Sequence, residues 1–237
     1  MRNILITNDD GIESDGILRL AQTCRELGRV VIVAPMNECS AMSHRITLRE
    51  HIDVVKVDFP VEGVEAYAST GTPADCVRFG LKNIMKERPD FVLSGINNGF
   101  NSGTDIQYSA TVGAALEAAN AGVHAIALSE GYECLHEVTD KYLRQTILDL
   151  ADKKLGYDQI WNVNFPKCPL SGFKGTLYDR AVAKNSFYHD IYKEELLPDG
   201  TLRLRVSGTY YEDGEPGSDV AAIIDGYISI GVVHNLH

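Results

Sequence analysis

The stretch Ile4-Leu5-Ile6-Thr7-Asn8-Asp9-Asp10-Gly11-Ile12 decides the reading of this chain. Ile4, Leu5 and Ile6 form an unbroken apolar run, the pattern of a strand buried on both faces of a parallel sheet. The polar residues begin where that strand runs out, and open α/β sheets bind ligands just past the carboxyl ends of their strands. Asp9 and Asp10 are like charges side by side. Either one of them takes a proton or a cation sits with them, and a hard divalent metal with oxygen ligands is the economical solution. The plain alternative is a polar turn that caps the next helix.

Outward from this stretch, strands and helices alternate. Strand Asn3–Thr7 leads to an expected helix from about Asp15 to Leu27, with Ile17, Leu18, Leu20, Ala21 and Leu27 at helical spacing and Gly28 as its stop. Val30–Ala34 reads as a second buried strand, closed by Pro35, and residues 36–46 as a loop. His51–Val57 and Val64–Ala68 resemble an extended pair. Thr72-Pro73-Ala74-Asp75 has the chemistry of a helix start, with a hydroxyl cap, proline at the first position and acid in the first turn. Phe91–Ser94 is a third buried strand, followed by a Gly/Asn-rich loop over 95–105. A helix over about 109–122 and a strand over 125–128 come next. This alternation predicts a Rossmann-like, three-layer α/β core with a mostly parallel sheet, assigned to residues 1–165 and including a helix over 138–151 and a strand over 160–164.

Residues 166–237 read as a hairpin-rich extension that completes the fold, its hairpin serving either as a subunit contact or as a plain surface hairpin. Leu202–Val206 alternates behind the turn Pro198-Asp199-Gly200, and Tyr227–Val233 is the expected last strand.

Composition narrows the function. The chain has 237 residues, 44% hydrophobic and 23% charged, with a formal net charge of -11 and a pI near 5.0. There is no long basic run, which argues against duplex nucleic acid as a partner. No stretch approaches the ~20 apolar residues of a membrane span. The five cysteines are unpaired in spacing and odd in number, as in a reduced intracellular chain, so a cytoplasmic location is expected.

Four loops meet at the carboxyl edge of such a sheet. They carry Asn8, Asp9 and Asp10; Asn37, Cys39, Ser40, Ser43 and His44; Asn97, Asn98 and Asn101; and Tyr108, Ser109 and Thr111. Asp9, Asp10, Ser40 and Asn97 offer one oxygen-only metal set. A helix starting near Ser109 would aim free N–H groups at a phosphate, with Ser109 and Thr111 adding hydroxyls, although Ser109 also serves as a simple cap. The histidines have no zinc-pair spacing, and no basic cluster marks Cys39 as an activated thiolate. Trp161 and the tyrosines most simply serve packing; Tyr108 could stack a base or sugar, but core packing is expected of it.

In order along the chain, Thr7-Asn8-Asp9-Asp10-Gly11-Ile12, Val33-Ala34-Pro35 with Ser40, Gly71-Thr72-Pro73-Ala74-Asp75-Cys76-Val77, Ser94-Gly95-Ile96-Asn97-Asn98-Gly99, Tyr108-Ser109-Ala110-Thr111-Val112 and Gly217-Ser218-Asp219 together resemble the SurE family of metal-dependent 5'-nucleotidases. The resemblance implies one Mg2+ or Mn2+ per subunit, held by Asp9, Asp10, Ser40 and Asn97, with Asp9 and Asp10 also serving catalysis. It implies a nucleoside monophosphate substrate, a homodimer or homotetramer, and, in some members, action on 3'-monophosphates and short polyphosphate. Asn8, Ser43, Asn101, Ser109 and Thr111 are assigned to the phosphate. Ala41 and Ala110 stand where the family usually carries glycine. Two other classes stand beside this one: a nucleotide-binding regulatory module without turnover, and a metal-dependent deacetylase, which would favour zinc with nearby histidines.

Overall fold

In the computed structural model, which describes residues 2–211 and 213–236, the opening apolar run is the strand β1 (Arg2–Thr7). Ile4, Leu5 and Ile6 are fully buried and pack on alternate faces, as the twofold period of a strand requires. Ile4 and Ile6 belong to the core layer that includes Ile17 and Leu20 of α1 (Asp15–Cys24) and Leu143 and Ile147 of α4 (Glu137–Ala151). Leu5 faces the opposite layer, with Cys76 and Val77 of α2 (Pro73–Phe79) and Val112 and Ala115 of α3 (Ala110–Asn120). One sheet between two helical layers is the architecture expected from the alternation.

The sheet has nine strands in the order β3-β4-β2-β1-β5-β6-β7-β11-β8. Their ranges are β2 (Gly28–Pro35), β3 (Val54–Val57), β4 (Glu65–Ser69), β5 (Phe91–Asn98), β6 (His124–Glu130), β7 (Gln159–Phe165), β8 (Gly175–Leu177) and β11 (Tyr227–His234). The six strands from β4 to β7 run parallel. β3 is antiparallel to β4, and β11 is antiparallel to β7 and parallel to β8. The chain leaves β1 on one side for β2 and returns on its other side as β5, so the order reverses at β1. Such a switch point opens a crevice at the carboxyl ends of the two strands.

Several boundaries differ from the sequence reading. α1 ends at Cys24, and Arg25–Leu27 form a turn into β2. β5 continues to Asn98 because Asn97 and Asn98 pair with Ser129 and Glu130 of β6 after an irregularity that begins at Ser94. Asn97 is therefore held on a strand end rather than in a loop. Gly16 permits the close seating of α1 on this strand: a Cβ there would lie 2.1 Å from the Ile96 carbonyl oxygen.

Beyond β7, β8 and β11 join the main sheet. β9 (Tyr188–Leu196) and β10 (Leu202–Tyr210) form a separate antiparallel hairpin. Short α5 (Asp219–Ile224) follows it. The Asp219 carboxylate accepts N–H bonds from Gly103, Ala183 and Val220, at 2.9, 2.9 and 2.8 Å, tying the loop after β5 to both ends of this segment.

Candidate active site

A cavity of about 790 Å³ opens at the switch point. Asp9, Asp10, Ser40 and Asn97 all line it, as do Asn101 and Ser109. Folding therefore gathers residues from four separate segments at the place that the β1 reading pointed to. Among the described residues, the other acidic groups of its wall are Glu38, Asp105 and Asp190, and its lining holds no lysine, arginine or histidine.

Asp9 is almost fully buried, 4% exposed. Thr111 donates from Oγ1 to Asp9 Oδ1 at 2.6 Å. Burial pushes the Asp9 carboxyl up to about 7, against the lowering effect of the Thr111 bond and with a further upward push from Asp10. Asp10 is less enclosed, and its carboxyl is also raised, first by burial and then by Glu38 and Glu130. Asn98 N–H donates to Asp10 Oδ2 at 3.1 Å. Among the described residues, neither aspartate has a basic side chain as an ion-pair partner. Two buried or half-buried carboxylates without a countercharge suit a divalent cation, because the cation supplies the charge that burial removed.

The two other metal candidates have oxygen to offer. Ser40 is exposed, lines the cavity and donates to Glu38 Oε1 at 2.5 Å, which leaves its oxygen free to accept or to bind a cation. Asn97 donates from Nδ2 to Gly99 O at 2.7 Å, which orients the amide and leaves Oδ1 as the acceptor end. An all-oxygen set of two carboxylates, an amide and a hydroxyl is hard-cation chemistry.

The residues assigned to phosphate divide into two groups. Ser109 is the N-cap of α3, its Oγ accepting from Val112 N–H at 3.0 Å, so the capping role holds even though the residue also lines the cavity. Asn101 is fixed by a buried network: its N–H donates to Asn164 Oδ1 and its Nδ2 to Ser129 Oγ, at 2.9 and 2.7 Å. Asn8, Ser43 and Thr111 are not among the lining residues. Asn8 is fully buried and donates from Nδ2 to Gly11 O and Ser14 Oγ, both at 2.8 Å, which staples the turn that presents the aspartates. Ser43 Oγ donates to Gln107 O at 2.7 Å and joins two loops. Thr111 is fully buried against Asp9. The side chains of these three position the site from behind.

Tyr108 corrects an expectation. It is 63% exposed and lines the cavity instead of packing in the core. Tyr132, Tyr188, Tyr192 and Phe100 join it there. Phe100, Tyr132 and Tyr188 also border an adjoining, mainly apolar cavity of about 280 Å³, walled further by Phe187, Tyr210 and Ile223. No spacing in the sequence announces this aromatic wall, whose members come from four distant segments. Ala41 sits at φ +57° on the cavity rim, a left-handed conformation that glycine adopts without strain.

The other polar candidates lie elsewhere in function. His44 Nε2 pairs with Glu117 Oε2 at 2.8 Å on α3. Cys39 is buried, and burial raises its thiol first, which agrees with the reading that it is not an activated thiolate. No helix among the described residues is long and apolar enough to cross a membrane.

A mostly parallel α/β sheet with an acid-rich cavity at its switch point places the chain among α/β proteins with a polar ligand cavity at the carboxyl edge of the sheet. The sequence profile described as survival protein SurE matches residues 4–187. The 5'-nucleotidase SurE of Thermosipho melanesiensis is 39% identical over 231 residues, covering 96% of this chain and 89% of that protein. That of Thermoanaerobacter sp. strain X514 is 37% identical over 238 residues, covering 98% and 91%. The crystal structure of the SurE protein from Aquifex aeolicus superposes with a TM-score of 0.84 at 33% identity, covering 99% and 94%. The chain belongs to the SurE family.

Proposed function

We propose that this protein is a 5'-nucleotidase: a divalent-metal-dependent phosphomonoesterase that converts nucleoside 5'-monophosphates to nucleoside and phosphate. The observation that carries the reading is the charge of the main cavity. Among the described residues, five carboxylates line it and no cationic side chain does, so a phosphate dianion enters only together with a cation. The names of the SurE relatives supply the substrate class.

Asp9, Asp10, Ser40 and Asn97 would hold Mg2+ or Mn2+. When bound, that ion offsets the charge on the phosphate oxygens as the ester bond breaks. Asp9, anchored by Thr111 at the floor, serves as the fixed ligand. Asp10, more open to the cavity, faces the attacking water and takes its proton. The start of α3, with Ser109 at its cap, directs N–H groups and a positive dipole end toward the transferred phosphoryl group. The aromatic wall from Tyr108 through Phe100 to Tyr188 gives the nucleoside a stacking surface. 3'-Monophosphates and short polyphosphate share the phosphoryl end and form the secondary substrate set.

The hairpin fits a role between subunits. On one of its faces Tyr192, Leu196, Leu202, Leu204 and Val206 are all more than half exposed, a patch that a second copy would cover. A homodimer or homotetramer follows, in the cytoplasm.

The test is phosphate release from a panel of nucleoside monophosphates with and without Mn2+ or Mg2+, on wild type and Asp9→Asn. The expected result is metal-dependent release in wild type and its loss in the variant. Full activity in chelator, or an unaffected variant, overturns the reading. Tight nucleotide binding without turnover in either metal would instead identify a sensor.

A further inference from the structure

A second group of side chains, beside the catalytic cavity, has a different chemistry. Glu130 ends β6, and Cys134 and His136 lie in the connection to α4. One donor atom from each lies within 4.8 Å of the other two. His136 Nδ1 is 2.9 Å from Glu130 Oε1 and 3.4 Å from Cys134 Sγ. Ligand atoms around a tetrahedral zinc ion stand ~3.3–3.7 Å apart, given its bond lengths. The His136–Cys134 pair stands at that spacing, the His136–Glu130 pair lies a few tenths of an ångström inside it, and the third pair is within 4.8 Å.

Two further observations point to a ligand. Glu130 is 1% exposed, and among the described residues its Oε2 has no hydrogen-bond partner. A buried carboxylate oxygen without a partner costs free energy unless something binds it. The surroundings are also short of positive charge. Arg19 pairs with Glu130 and is shared with Asp15 and Asp140, at 2.6 and 2.7 Å. Glu133 lines the same cavity of about 350 Å³ as Glu130, Arg19 and His136. Three carboxylates thus share one guanidinium, with a fourth, Glu133, on the same cavity wall.

We propose that Glu130, Cys134 and His136 form a second metal site, selective for a borderline-soft divalent ion such as zinc and distinct from the all-oxygen site at Asp9 and Asp10. A thiolate and an imidazole favour zinc over magnesium. Three protein ligands leave the fourth position to water. On binding, the Cys134 thiol releases its proton to solvent and its sulfur bonds the metal. Arg19 stays on Glu130 Oε1, the His136 Nδ1 contact to that oxygen gives way, and Nδ1 and the free Oε2 take the ion.

The consequence is mechanical. Gly99 N–H donates to the Glu130 carbonyl at 2.9 Å, and Glu133 N–H donates to Asn98 Oδ1 at 3.1 Å. Tyr132 of the same segment lines the catalytic cavity. A metal at Glu130, Cys134 and His136 would clamp this segment against the end of β5, beside Asn97. This site does not depend on the nucleotidase reading, since its ligands take no part in that chemistry.

The experiment uses cobalt as a spectroscopic stand-in for zinc on the full-length, chelator-treated Asp9→Asn protein, in which the catalytic site is weakened. One equivalent of Co2+ is expected to produce a thiolate-to-cobalt charge-transfer band, which zinc abolishes by displacement. Cys134→Ala should lose the band while retaining the wild-type circular dichroism, and His136→Ala should weaken cobalt binding. Hydrogen exchange of residues 130–136 should slow when zinc is added to wild type and stay unchanged in Cys134→Ala. Absence of the band at stoichiometric cobalt overturns the site. So does an identical band in Cys134→Ala, because the thiolate would then be another cysteine. An unfolded Cys134→Ala leaves the decision to Cys134→Ser and to the exchange measurement on wild type, where unchanged protection counts against the clamp.

Discussion

Asp9 and Asp75 are both buried aspartates near a helix start, 4% and 3% exposed, yet the fold treats them in opposite ways. Asp75 closes a capping box at the start of α2. It accepts from Thr72 N–H and Thr47 N–H, each at 3.1 Å, and so ties the incoming loop to the helix. Asp9 lies at the floor of the switch-point cavity beside a second carboxylate, with Thr111 as its side-chain donor. One carboxylate is satisfied by the protein and holds structure; the other is left short and can hold a ligand. Stability and function are thus stored in the same residue type at separate places.

The largest expected effect is at Asp9. Asp9→Asn should reduce phosphate release by on the order of 10²–10³, the scale seen when one preorganised electrostatic group is lost. The same variant should be no less stable than wild type when both are metal-free, because it removes a buried charge without a countercharge. Steady-state assays with Mn2+ and thermal unfolding in chelator test the two halves. A variant that loses activity only because it unfolds would erase the contrast with Asp75.

Asp75→Ala should show the reverse. Losing charge-assisted bonds to two buried or half-buried amides should destabilise the protein by about 2–4 kcal/mol. At this chain length that lowers Tm by roughly 2–4 °C per kcal/mol. Activity per folded molecule should stay near wild type. Asp219→Ala should behave similarly, since Asp219 anchors three backbone N–H groups.

This contrast was only partly legible in the sequence. The buried run at Ile4–Ile6 and the alternation after it were enough for the α/β core, because period and apolar length are local signals. Thr72-Pro73-Ala74-Asp75 announced a helix start for the same reason. The metal candidates Asp9, Asp10, Ser40 and Asn97 do share one cavity. Which polar residues face that cavity and which support it from behind was not legible. Thr111 and Asn8 point to positions fixed by tertiary packing, and nothing in the spacing separates a hydroxyl that meets phosphate from one that holds a carboxylate. Tyr108 illustrates the same gap. An aromatic in a helix-start segment reads as core, and only the fold leaves it on the rim. The cluster at Glu130, Cys134 and His136 is too irregular in spacing for a zinc pattern and emerges from a tight connection whose His136 adopts φ +59°.

The next contrast is in pH and metal. The Asp9 carboxyl lies at about 7 in the folded, metal-free protein against an ordinary 3.8. A raised acid means that the folded state holds its proton more tightly than the unfolded chain. The contribution to stability is complete below about pH 4 and is lost as pH rises through about 7. Metal-free wild type should therefore lose stability across that window, and Asp9→Asn should lose less. Mn2+ at a hundredfold excess over its dissociation constant should restore about 2.7 kcal/mol to wild type at neutral pH. It should restore much less to Asp9→Asn. Urea unfolding at several pH values, with and without Mn2+, checks both statements. Equal pH profiles for the two proteins would place the titrating group elsewhere.

Thr111→Val is the finest test, because it alters the support of Asp9 without touching the cavity lining. The two side chains are nearly the same size, and Thr111 is fully buried, so packing is retained while the 2.6 Å bond to Asp9 Oδ1 disappears. That bond lowers the Asp9 carboxyl, and its loss should move the group further up, so that a proton competes better with the cation at neutral pH. One charge-assisted bond is worth about 1.5–3 kcal/mol. Metal affinity should fall about tenfold or somewhat more, while kcat at saturating Mn2+ changes little. A side chain that itself binds the transferred phosphate would show the opposite split, with kcat reduced and metal affinity kept. The Mn2+ dependence of phosphate release at pH 7 and at pH 8.5 separates the two: the deficit should shrink at the higher pH if Thr111 acts through Asp9, and persist if it acts on the phosphate.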